Sequence, residues 1–199
     1  MNTTHRESTN QDTATGPILV ETDIVTHSMA RKGLALLRIA FGFTFLWAFF
    51  DKLLALGFST GHDEEGNLDR FGPAAWVNGG SPTEGFLSFG VPENNPFKGF
   101  FNALAGSAVV DWLFMLGLLG IGLALTPGIG MRIAAATGAL LYLMMYAAVL
   151  PLENNPVVDD HLIGALAVVV LALTLAGDTW GAGRAWARTN LVNRFSFLR

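Results

Sequence analysis

The chain has 199 residues and a net charge of −4, and it is 51% hydrophobic with only 14% charged residues. Soluble domains carry about 25% charge, so this balance points to a membrane as the solvent. The length suits one domain. With no cysteine, disulfides, thiolate metal sites, iron–sulfur ligation and a dithiol relay through the chain's own side chains are excluded. Redox chemistry here belongs to a bound molecule or a partner.

Residues 1–29, MNTTHRESTNQDTATGPILVETDIVTHSM, are polar and rich in Thr, Ser and Asn. They lack the apolar core of a signal peptide, and their composition predicts a flexible cytoplasmic tail. Four apolar segments follow: Leu34–Phe50, Ala108–Thr126, Ile133–Leu150 and His161–Gly177. A spanning helix needs ~20 such residues, so the expected fold is an all-α integral membrane protein, a four-transmembrane-helix bundle over residues 30–178. The Lys and Arg residues of the connecting segments divide eight (Arg6, Arg31, Lys32, Arg132, Arg184, Arg188, Arg194, Arg199) against two (Arg70, Lys98). The positive-inside rule then places both termini in the cytoplasm of a multi-pass plasma-membrane protein. Residues 179–199 become a basic cytoplasmic C-terminal tail, and residues 58–107 and 151–160 face outward.

Ionisable side chains inside spans are costly, and each is a functional candidate. Arg38 lies just inside the first span. Lys52 follows fourteen residues later on nearly the same helix face, with Gly42, Phe45 and Phe49 between them. This basic stripe suits an anion or a quinone carbonyl. Asp51 sits beside Lys52, and Asp111, opening the second span, is placed to cap that helix or neutralise Lys52. The fourth span opens with Asp159-Asp160-His161. One aspartate is explained by helix capping; an imidazole is a side chain that can pass protons. One His with two Asp is a weak metal signal, and no metal site is assigned.

The fifty residues of the outer cap, 58–107, are too long for a plain linker. Phe71, Trp76, Phe86, Phe89, Phe97 and Phe100 recur there among turn signals, and Ser81-Pro82-Thr83-Glu84 has the form of a capping box. Short amphipathic helices over the bundle's outer mouth are expected. The tetrapeptide Glu-Asn-Asn-Pro occurs twice, at 93–96 and 153–156. Pro after Asn sets a turn, and the two turns are expected close together on one face, held over the mouth by Asn94, Asn95, Asn154 and Asn155.

LRIAFGFTFLWAFFDKL (37–53), with its Arg, spaced Gly and late Lys, resembles the first helix of the DoxX/DoxD-like membrane proteins. AAWVNGGSPTEGFL (74–87) and ENNPVVDDHLIGAL (153–166) resemble the longer DoxD-type branch, the large subunit of thiosulfate:quinone oxidoreductase. The resemblance covers roughly 31–178 and implies a four-helix membrane bundle, quinone as electron acceptor, and association with other redox-complex subunits. Some members carry a second, DoxA-like region, which this sequence leaves missing or separate. The resemblance brings no catalytic residue set. The residues themselves put His161, Asp160 and Lys52 at the chemistry. Arg38, Asp51, Asp111, Trp76, Asn94 and Asn155 are the candidate contacts for substrate and quinone. Expected partners are lipid, quinone and redox subunits, with no nucleic acid. Two readings stand: an enzyme oxidising thiosulfate at the outer face and reducing membrane quinone, or a non-catalytic anchor for a redox complex. A small-solute transporter has little support, because broken helices and inverted repeats are missing.

Overall fold

The computed structural model describes residues 18–62 and 65–199. Among them the regular elements are all helical. The short α1 (Glu21–Ile24) precedes α2 (Ser28–Leu54), and α3 (Lys98–Leu104) leads into α4 (Ala108–Leu125). Next come α5 (Met131–Ala148), α6 (Asp160–Leu173), α7 (Gly183–Ala187) and α8 (Asn190–Arg194). Three helices, α2, α4 and α5, are long and apolar enough to cross a membrane. The fourth expected span is shorter: α6 has 14 residues, ~21 Å at 1.5 Å per residue against a hydrocarbon core of ~30 Å. Beyond it the chain turns tightly, and Leu175 adopts a left-handed conformation with φ 54°.

The ends of the long helices follow from local chemistry. Pro127 follows α4 and Pro151 follows α5, and proline cannot continue a helix. α2 stops where Ala55 turns left-handed. In the bundle α2 packs along α4, α4 along α5, and α5 along α6. Phe45, Met115, Leu118, Leu125, Val168 and Leu171 form the centre of the core. α2 and α4 approach so closely that a Cβ on Gly122 would lie 2.7 Å from Leu46. Large apolar side chains such as Leu36, Phe43, Leu113, Leu140, Leu166 and Leu173 are left exposed on the outer faces. That is the opposite of a water-soluble bundle's surface and fits a lipid environment.

The alternating helices define two ends. At one, Arg38 is completely buried. Its Nε donates to Ala176 O at 3.0 Å, Nη1 to Leu125 O and to Thr126 O at 2.6 Å, and Nη2 to Trp180 O at 3.0 Å and Thr179 O at 3.4 Å. One side chain therefore closes the carbonyl end of α4 and holds the loop that follows α6. The expected basic stripe separates accordingly. Arg38 and Lys52 are ~21 Å apart along α2, and the guanidinium is committed to main-chain carbonyls. The other groups at this end pack beneath the bundle. The Arg132 amide donates to Arg199 O at 2.9 Å, and Trp186 Nε1 donates to Leu198 O at 2.7 Å. Residues 18–29 differ from the flexible tail expected: Glu21 is fully buried and its amide donates to Asp178 Oδ2 at 2.9 Å. The remainder of that expectation falls on residues outside those described.

At the opposite end lies the cap. Its local order is mostly single turns, a 3-10 turn at Trp76–Asn78 and a π-helical turn at Phe86–Gly90, together with α3. Ser81 Oγ accepts the Glu84 amide at 3.1 Å, as the capping-box pattern requires, and also donates to Asp111 Oδ1 at 2.9 Å. Thr83 Oγ1 donates to the same oxygen at 2.6 Å. Asp111 thus ties the cap to α4 and does not meet Lys52. Both Glu-Asn-Asn-Pro copies lie at this end and form the same turn. The second Asn of each accepts the amide two residues on, Asn95 from Phe97 at 2.7 Å and Asn155 from Val157 at 2.9 Å. Asn95 also donates to Ala147 O and Ala148 O, both at 2.9 Å, capping the end of α5.

Arg38→Met is expected to lower stability by about 3–5 kcal/mol, because it orphans carbonyls at the end of α4 and in the loop beyond α6; thermal melts in mild detergent measure it. Asn95→Ala should cost about 1–3 kcal/mol for the same reason, whereas the exposed Asn94→Ala should stay within about 0.5 kcal/mol.

Candidate functional site

Among the described residues, two clefts of several hundred Å³ open at the cap end. The first, about 610 Å³, is lined by Asp159, Asp160, His161, Glu153 and Asn155, with Val149, Leu152, Val158 and Ile163 as apolar walls and Gly90 and Pro92 from the cap. The second, about 480 Å³, is lined by Lys52, Ser59, His62, Glu84, Phe86 and Phe89. The π-helical turn Phe86–Gly90 contributes to both and stands between them. Such turns are rare and frequent at functional sites.

The start of α6 builds the first cleft. Asp159 is the N-cap: its Oδ1 accepts the Leu162 amide at 2.9 Å. Its Oδ2 lies 2.7 Å from His161 Nδ1. Asp160, the carboxylate expected to work with His161, is 3.4 Å from Nδ1 and its side chain is 92% exposed. Asp159, whose side chain is only 16% exposed, is therefore the residue that orients the imidazole. Burial pushes the Asp159 carboxyl up, but the Leu162 amide and the His161 ring outweigh it and hold the group below its ordinary value. Behind His161, the Tyr142 ring sits 6.5 Å from the imidazole and 5.4 Å from Phe45. Gly164 makes room for it, since a Cβ there would come within 2.8 Å of the ring. Tyr146 Oη donates to Val157 O at 2.8 Å and secures the segment leading into α6.

In the second cleft Lys52 Nζ donates to Ser59 Oγ at 2.8 Å. Asp51, buried beneath, accepts the amides of Phe58 at 3.1 Å and Ser59 at 2.9 Å and the Ser59 hydroxyl at 2.7 Å. It shapes the chain leaving α2 and makes no contact with either cleft's open space. Trp76 packs edge-on to Trp112 at 4.7 Å, joining the cap to α4. Of the residues singled out from sequence, His161, Asp160 and Asn155 come together in one cleft and Lys52 borders the other. Asp51, Asp111 and Trp76 hold the cap, Asn94 is exposed beside them, and Arg38 lies at the far end.

Sequence reasoning set Asp160 ahead of Asp159 and Asn94 ahead of Asn95 as site residues, although a signal to separate each pair was present. In Asp-Asp-His, the first aspartate is the one that a helix starting at the second would use as N-cap. In Asn-Asn-Pro, the amide that an Asx turn bonds lies two residues beyond the acceptor, which makes the residue before Pro the acceptor. Comparison with protein-family models, characterised proteins and solved structures gives no match.

Asp159→Ala is expected to cost about 1 kcal/mol through the lost cap, while Asp160→Ala stays within about 0.5 kcal/mol. Because the Asp159 carboxyl is held low in the folded state, its contribution is complete above the ordinary carboxylate range. It is lost as pH falls through the depressed value. Melts of wild type and Asp159→Asn should therefore converge on acidification and diverge near neutrality.

Proposed function

We propose that this chain is a membrane component of a quinone-linked oxidoreductase and that the His161 cleft receives the quinone headgroup. In this reading α6 makes a fourth crossing, and its shortness is met by local thinning of the bilayer. The termini and the Arg38 end face the cytoplasm, and the cap faces out, as the distribution of basic residues favours. The carrying observation is the 2.7 Å contact between His161 Nδ1 and a half-buried Asp159, in a cleft that has apolar walls and opens at the mouth of an apolar bundle.

Reduction of a quinone to its quinol takes up two electrons and two protons. Asp159 engages Nδ1, which leaves Nε2 as the nitrogen that exchanges a proton with a quinone oxygen. The protein supplies position and protons. With no cysteine in the chain, the electrons come from a bound donor or a partner. Glu153, Asp159 and Asp160 around the cleft repel a dianion over a Debye length of ~8 Å, so a neutral quinone suits it and thiosulfate does not. Thiosulfate, the donor implied by the resemblance of 74–87 and 153–166, is left to the Lys52 cleft beyond the π-helical turn. Both of those stretches contribute to the cap end, which supports a shared role.

A second reading, a non-catalytic anchor subunit, is favoured by the cap's exposed phenylalanines. Phe89 is 88% exposed and Phe58 68%, as a docking face for a partner subunit requires.

The test is purified chain in nanodiscs with a short-chain quinone. A hundredfold excess over Kd stabilises the folded state by about 2.7 kcal/mol, so the melting temperature should rise in wild type and less in His161→Ala. Thiosulfate-dependent quinone reduction should fall about 100-fold or more in His161→Ala and also in Lys52→Ala. A quinone-insensitive melt together with no turnover in the isolated chain leaves the anchor reading.

A further inference from the structure

At the Arg38 end, the Glu21 side chain is the feature that neither the fold nor the clefts require. It is fully buried, and its Oε1 has no hydrogen-bond partner among the described residues. The other oxygen, Oε2, accepts from Thr179 Oγ1, and the Glu21 amide donates to Asp178 Oδ2. Asp178 is itself buried, with a side chain 2% exposed. Two carboxyl groups therefore lie within electrostatic reach of one another away from water, and one of them has an unmet oxygen. An ionised carboxylate is poorly served there, whereas a neutral carboxyl loses far less by burial.

We propose that the N-terminal turn around α1 is a proton-responsive latch. With a proton on Glu21 it lies closed over residues 178–180, and loss of that proton opens it. The same three residues connect the latch to the bundle, because the Thr179 and Trp180 carbonyls are two of the acceptors of Arg38. Opening the latch removes the Thr179 side-chain contact and uncovers the loop that completes the Arg38 cage.

The charged groups around Glu21 act in both directions. Burial is the largest influence and Asp178 adds to it, both favouring the proton; Thr179, Arg31 from α2 and Arg184 from α7 favour the charge. Arg38 interacts with Glu21 from the bundle side. Arg199 reaches Asp178 at 3.4 Å, and Asp23, within α1, accepts the Val20 amide at 2.9 Å. The sum raises the Glu21 carboxyl above its ordinary value. A carboxyl raised in the closed state stabilises closure fully below the ordinary carboxylate range. That stabilisation is lost as pH rises through the raised value.

Hydrogen exchange of the full chain in detergent reads the latch through the amides of Glu21, Asp23 and Val25, which are bonded within or by the turn. Corrected for intrinsic rates, their protection in wild type should fall about tenfold or more between about pH 5 and about pH 8. In Glu21→Gln, a neutral isostere, it should stay near its acid value throughout. Protection that is independent of pH in wild type, or an equal pH dependence in Glu21→Gln, overturns the latch. Nitroxides at Ile18→Cys and Ser196→Cys, in a chain with no native cysteine, test it without altering Glu21. A single distance at acid pH that broadens at alkaline pH supports it, and an unchanged distribution refutes it.

Discussion

A helix leaves its last carbonyls without partners, and in an apolar surrounding no water supplies the missing donors. This fold depends on the answer to that constraint: Arg38, planted in α2, sends its donors to the end of α4 and to the loop that follows α6. A guanidinium suits the task because its planar fork carries five N–H groups and stays charged. The result is a rivet that joins α2 to the end of α4 and to the loop beyond α6. Everything at that end is then arranged around the loop that the rivet holds, including the buried Glu21 and Asp178 and the C-terminal helices that fold back to Arg132.

The cap end meets the same constraint with short side chains, an amide and two carboxylates. Asn95 serves the end of α5, Asp159 serves the start of α6, and Asp111 gathers the hydroxyls of Ser81 and Thr83 over the start of α4. Each contact satisfies a local requirement and also sets a wall of a cleft. The imidazole of His161 is oriented by the same carboxylate that caps its helix, so the helix start and the candidate site are one piece of chemistry. The stability of the cap and the shape of the clefts are consequently coupled, and a change in one is felt in the other.

Much of this was legible in the residues. Apolar runs bounded by Pro127 and Pro151 mark the helices, and the capping-box pattern at 81–84 gives the Ser81 bond that forms. The paired Asn-Asn-Pro turns fall at one end, as their flanking sequence implies. Arg38 was legible only as an exceptional residue. Its period on the helix puts it in line with Lys52, and periodicity says nothing about which carbonyls end nearby. Asp160 and Asn94 were favoured over their neighbours Asp159 and Asn95 for a similar reason. Adjacent identical side chains are told apart by the backbone turn between them, not by composition.

The sequence by itself determined the apolar character, the helical class and the polar punctuation. These depend on hydrophobicity, proline and short-range hydrogen bonding, which act within a few residues. Only the tertiary structure decided that the candidate residues divide between two clefts, with Arg38 removed from both. It also decided that Glu21 and Asp178, separated by most of the chain, share one buried pocket. Such pairings depend on how helices pack in space, and burial changes the chemistry of a carboxyl or a guanidinium far more than its sequence neighbours do.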